Sequence, residues 1–82
     1  MQINRTIAVS DSGFIFNPGT GDSFSANPTG IEIIRLLKED KSRQEVLDAL
    51  EKKFTVDRNT LEKDLDDYLM MLRSYQILKE DA

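Results

Sequence analysis

Residues 22–37 read DSFSANPTGIEIIRLL, and a change of pattern within them decides the fold. From Asp22 to Ala26 the side chains alternate, with Phe24 on one face and Ser23 and Ser25 on the other, which is the two-residue period of a strand. Asn27-Pro28-Thr29 then marks a helix start: Asn27 can cap free backbone N–H groups, and Pro28 suits the first turn. Beyond it, at about 100° per residue, Ile31, Ile33, Ile34, Leu36 and Leu37 sweep more than half of the helical circumference. Glu32, Arg35 and Lys38 share the remaining arc. A short helix that is apolar over most of its surface is expected at the centre, touching both a sheet and other helices. The charged run Lys38 to Lys41 ends it.

Upstream, Ile7 and Val9 alternate with Thr6, Ala8 and Ser10. Asp11-Ser12-Gly13 supplies turn chemistry, and Phe14 to Asn17 follows as a second short strand. In Pro18-Gly19-Thr20-Gly21, proline presets φ and glycine accepts a positive φ, so a second turn is expected there. Three strands joined by two tight turns make an antiparallel meander, one face of which the helices must cover.

Downstream, Ser42 and Glu45 form a capping box that opens a second helix through about Lys53. Val46, Leu47, Ala49 and Leu50 share one of its faces, and Phe54 extends that face. Thr55-Val56 breaks the pattern. Asp57 or Asn59 caps a third helix that runs to about Ser74, with Leu61, Leu65, Tyr68, Leu69, Leu72 and Tyr75 inside about 120° of arc. Ile77-Leu78 is expected to pack back on the core before Lys79 to Ala82 fray. The order predicts an α+β, winged-helix-like fold: a three-stranded antiparallel β-meander followed by three α-helices. It is read as one domain over residues 1–82, with an ordered core at about 6–78.

Composition narrows the chemistry. A chain of 82 residues buries only about 60–65% of its unfolded surface, enough for one core. It contains no cysteine and no histidine, so thiolate and imidazole metal ligands and the Ser-His-Asp and Cys-His nucleophile systems are absent. No cofactor or metal is expected. Fifteen Asp and Glu against eleven Lys and Arg give a net charge of −4, the wrong sign for meeting phosphates. No apolar stretch approaches a membrane span, and Met1 to Arg5 lead into no signal-peptide core; a cytoplasmic protein is expected.

Each candidate motif also has a plainer reading. Glu62, Asp64, Asp66 and Asp67 form the densest acidic cluster, and Glu62 and Asp66 share a face. A solvated helix face that complements the N-terminal dipole accounts for them without catalysis. Pro18 to Gly21 leads into a strand and lacks the phosphate-loop pattern. The third helix would be the recognition helix of a DNA-binding winged helix, but its only basic residues are Arg58, Lys63 and Arg73. Two features favour a peptide surface. Residues 22–26 form the last strand, an edge with neither Lys nor Pro and only Asp22 as a charge, able to accept an added strand. Met70 falls almost opposite Leu61 and Leu72, beside Leu69 and Arg73, and offers an adaptable apolar contact. Taken singly, each is also an ordinary edge or a scattered apolar residue.

At these residues the chain resembles the PqqD family. Asn27, Thr29, Gly30, Ile33, Leu36 and Leu37 match the family's asparagine, threonine-glycine and Ile-x-x-Leu-Leu stretch. The amphipathic segment Ser42 to Phe54, then Val56-Asp57, Asp64-Leu65, Tyr68-Leu69, Leu72 and Ile77-Leu78 extend the likeness over about residues 6 to 78. Two positions depart from it: Ile34 stands where the family often has Trp, and Gln76 where it has a Gly after the third helix. Without that glycine the helix is expected to end differently.

The resemblance implies a non-catalytic peptide chaperone. Such proteins bind the leader of a ribosomally made precursor peptide and present the core to a modifying enzyme, often a radical S-adenosylmethionine maturase. Coenzyme PQQ synthesis is one such pathway. The leader adds as a strand to the third β-strand beside the third helix. Carried over by position, the peptide-binding residues are Ser23, Phe24, Ser25, Ala26, Asp66, Leu69, Met70 and Arg73. The expected partners are a leader peptide and its maturase, with no nucleic acid and no membrane, the chain being a monomer or a strand-exchanged dimer. The alternative function is a winged-helix regulator or a protein-interaction adaptor.

Overall fold

A computed structural model describes residues 2–79. In chain order, β1 (Gln2–Ile3), β2 (Ala8–Val9), β3 (Phe14–Asn17) and β4 (Asp22–Ser25) precede α1 (Pro28–Lys38), α2 (Arg43–Lys53) and α3 (Arg58–Ser74), and β5 (Leu78–Lys79) follows. The strands β2-β3-β4 form an antiparallel sheet in that order, ahead of the three helices. This is the α+β arrangement expected from the sequence. No helix among the described residues is long and apolar enough to cross a membrane.

Alternation sets the two faces of the sheet. Ile15 pairs with Val9 and Phe24, and these three meet the helices, with Ile15 fully buried. Phe14 and Phe16 point the other way and are exposed, opposite Ser25 and Ser23. The Ala26 N–H donates to the Gly13 carbonyl at 2.8 Å. Because ladder bonds in an antiparallel pair alternate, Gly13–Ala26, Ile15–Phe24 and Asn17–Asp22 are the hydrogen-bonded pairs. Ser23 and Ser25 therefore turn their N–H and C=O groups away from β3.

Each helix begins as its capping chemistry dictates. Asn27 Oδ1 accepts from the Gly30 N–H at 2.8 Å, and Asp57 Oδ1 accepts from the Asn59 N–H at 2.9 Å. At α2 the capping box is complete: Ser42 Oγ accepts from the Glu45 N–H at 3.2 Å and Glu45 Oε1 from the Ser42 N–H at 2.9 Å. The helices bury Ile33, Ile34, Leu37, Val46, Leu47, Leu50, Leu61, Leu65, Leu69 and Leu72 in one core with Ile15 and Ile77.

Three expectations are corrected. Lys79, expected to fray, pairs with Gln2, and Ile3 pairs with Leu78, so β1 and β5 close the two ends of the chain into a small second sheet. Ile3 and Leu78 are buried there, but two residues are too few to display a period. Residues 80–82 of that expectation lie outside the described residues. The end of α3 also differs from expectation. Gln76 itself adopts the left-handed backbone, φ 59°, that the family's glycine would take, so the helix ends in the same way. The Ile77 N–H reaches the Leu72 carbonyl at 2.8 Å and the Gln76 N–H reaches the Arg73 carbonyl at 3.0 Å, the two bonds of a Schellman motif. Burial of Ile77 behind the turn holds the strained residue in place. Gln76→Gly is therefore expected to raise stability by about 0.5–1 kcal/mol, the left-handed penalty less the added freedom of the unfolded chain. Urea unfolding of both proteins checks it.

Glu32 is the third correction. It was placed on the polar arc of α1, yet it is only 7% exposed. It accepts from Lys53 Nζ of α2 at 2.8 Å and pairs with Arg35 one turn away. The Lys53 hydrogen bond holds its carboxyl below the usual 4.5; burial opposes this and Arg35 adds to it. A depressed folded pKa gives stability that is complete above about pH 4.5 and is lost as the pH falls through the lowered value. Glu32→Gln should therefore flatten the acid limb of a stability–pH curve below about pH 4.5, measured by thermal melts between pH 2 and 7.

Candidate functional site

β4 has an open side, turned away from β3, and it meets the end of α3 where Phe24 packs on Tyr75. Ser23 and Ser25 present their free backbone groups along this open edge, and no strand among the described residues pairs with them. Inside the edge, Phe24 is partly buried and its ring meets that of Tyr75 at 5.7 Å between centroids, tilted by 32°. Asn17 fixes this junction from beneath. Although it is buried and polar, its Nδ2 donates to the Tyr75 carbonyl at 3.2 Å and its Oδ1 accepts from the Gly19 N–H at 2.9 Å. The end of α3 is thus tied to the hairpin that presents β4.

Asn27, two residues past the end of β4, stands at the wall of a cleft of about 410 Å³ between the start of α1 and the middle of α3. Asn27, Thr29, Gly30 and Ile33 line one wall; Asp64, Asp67, Tyr68 and Met71 line the other. Gly30 lets the walls approach, since a Cβ there would lie 2.5 Å from the Tyr68 hydroxyl. That hydroxyl is buried with no hydrogen-bond partner among the described residues, and burial pushes its pKa above 10.0. Among the described residues no group of three or more acidic side chains is placed to hold a metal ion.

The eight sequence-derived positions separate into two places. Ser23, Phe24, Ser25 and Ala26 lie at the edge as described. The α3 residues do not join them. Asp66 is held by Arg43 of α2, with Nε at 2.9 Å and Nη2 at 3.0 Å from its two carboxylate oxygens. That pairing lowers the Asp66 pKa. Arg73 and Met70 share the Asp66 face by helical spacing, and Met70 is 67% exposed. Leu69 is 2% exposed and belongs to the core, so no peptide side chain reaches it directly.

The α3 residues that line the cleft are instead Asp64, Asp67, Tyr68 and Met71, while Tyr75 meets Phe24. Tyr68 and Tyr75 belong by spacing to the apolar arc. Periodicity ranks positions around a helix but does not say which margin meets the sheet.

A family described as coenzyme PQQ synthesis protein D (PqqD) matches residues 13–78. A solved structure titled TbiB1 in complex with the TbiA(beta) leader peptide is similar over 100% of this chain and 99% of its own, at 33% identity and a TM-score of 0.88. A second, a lasso peptide synthetase B1 complexed with the leader peptide, covers 90% of this chain and 91% of its own. Its identity is 22% and its TM-score 0.77, a likeness of fold. Among curated proteins, none matches.

Proposed function

The chain belongs to the PqqD family, and from that premise we propose that it is a non-catalytic recognition domain for the leader of a ribosomally made precursor peptide. The leader adds as a strand to β4, where Ser23 and Ser25 offer N–H and C=O groups. Side chains on its inner face pack against Phe24, Tyr75, Met71 and Tyr68. Main-chain pairing supplies affinity and these contacts supply selectivity. The domain then presents the attached core to a modifying enzyme, such as a radical S-adenosylmethionine maturase, and raises the core's effective concentration there.

One observation carries the reading: an unpaired, weakly charged strand edge runs toward Asn27, at the wall of a partly apolar cleft. It occurs in a chain similar end to end to a protein solved with a leader peptide. Ordering a flexible leader costs entropy, so the affinity is expected to be moderate and reversible. The test is to search the neighbouring reading frames for a short precursor peptide and to measure its binding by calorimetry, whole, as leader alone and as core alone. Equal binding of whole precursor and leader, with none by the core, supports the reading. Binding only through the core, or none at millimolar peptide, overturns it.

A further inference from the structure

Resting on that reading, we infer that the peptide recognised here carries a lysine or arginine on the face it turns toward α3, and that Asp64 and Asp67 select it. The acidic residues of the helices are mostly in use. On α2 and α3, Asp66 is taken by Arg43, and Arg58 lies within ion-pair distance of Asp48, Glu51 and Glu62. On α1, Glu32 is taken by Lys53 and Arg35. Asp64 and Asp67 have no ion-pair partner among the described residues, and both face the cleft at the end of β4. No basic side chain lines that cleft.

The lining has the form that a long cationic side chain fits. Its floor, Ile33, Tyr68 and Met71, is apolar and partly or fully buried, while the carboxylates stand at the rim. Lysine and arginine bury an aliphatic stem along such a surface and keep the charged head in water. A strand paired to Ser23 and Ser25 sends every second side chain to the α3 side. One such residue meets Phe24 and Tyr75, and a residue farther along the same face is carried toward Met71 and the two aspartates. The recognised pattern is an apolar residue and a basic residue an even number of positions apart, on one face of an extended peptide.

The test is selection of a displayed random peptide library on the immobilised 82-residue chain and on its Asp64→Asn/Asp67→Asn variant. Neither carboxylate is paired among the described residues, so the variant should keep the wild-type fold, checked by circular dichroism. The wild type is expected to enrich Lys or Arg at one fixed spacing from an apolar residue. The variant should keep the apolar preference, lose the basic one, and bind a wild-type-selected peptide about fivefold more weakly, as expected for exposed ion pairs. Equal enrichment of basic residues by both proteins, or an apolar preference alone in the wild type, overturns the inference and leaves the leader-binding reading intact. If neither protein enriches any extended peptide, both fail together.

Discussion

Ser25→Pro should weaken leader binding at least tenfold while lowering the stability of the free domain by less than about 1 kcal/mol. The asymmetry follows from the ladder. Ser25 lies opposite Phe14 in a non-hydrogen-bonded pair, so its N–H contributes nothing to the sheet. Proline at an edge is tolerated when the lost donor faces solvent. To an added strand the same change removes a donor, worth about 1 kcal/mol net, and puts a ring where the partner's carbonyl must approach. Calorimetry for binding and urea unfolding for stability separate the two effects. Equal losses in both would mean that the substitution damages the fold and that the edge is not the binding element.

The largest loss of stability is expected from Gly13→Ala. Gly13 has φ 91°, and a Cβ there would sit 2.8 Å from the Ala26 carbonyl oxygen and 2.6 Å from Ile31 Cδ1. The backbone penalty is about 1–2 kcal/mol and the overlap about 1–3 more, because the nearest backbone atom belongs to the junction between β4 and α1. The midpoint of thermal unfolding should fall by more than about 10 °C in a domain of this size. Gly21 provides the control. Its φ is 80°, but a Cβ there meets nothing within 4 Å, so Gly21→Ala should carry only the backbone penalty, about 1–2 kcal/mol. Equal melting points for the two variants would show that the overlap at Gly13 relaxes at no cost.

The switch from alternation to helical period at Asn27 was legible in the sequence because the signals agree. A capping side chain, a proline and a change of apolar spacing all fall within three residues. The capping box at Ser42 was equally clear, and so was the edge strand, with serines that prove to face outward. Glu32 misled because its apolar neighbours left only a narrow polar arc, and that arc is closed by Lys53 from another helix. No local pattern announces a partner 21 residues away. Gln76 misled for a related reason: burial of Ile77 enforces a conformation that the residue itself disfavours.

The site was half legible. Its strand could be placed from alternation and its lack of edge protection, but its helix flank could not. Asp66, Met70 and Arg73 on one side of α3, and Asp64, Asp67 and Met71 on the other, are about equally distant from the leucine stripe. What decides between them is tertiary: Arg43 claims Asp66, and Asn17 draws the end of α3 to the hairpin so that Tyr75 meets Phe24.

Whether a leader strand lies on β4 against this flank of α3 is settled by titrating the ¹⁵N-labelled domain with the leader of a precursor peptide found in a neighbouring reading frame. The account predicts amide shifts at residues 22–26 together with Asp64, Asp67, Tyr68, Met71 and Tyr75, and little change at Asp66 and Met70. Shifts confined to the Asp66, Met70 and Arg73 face, with residues 22–26 unmoved, would contradict it.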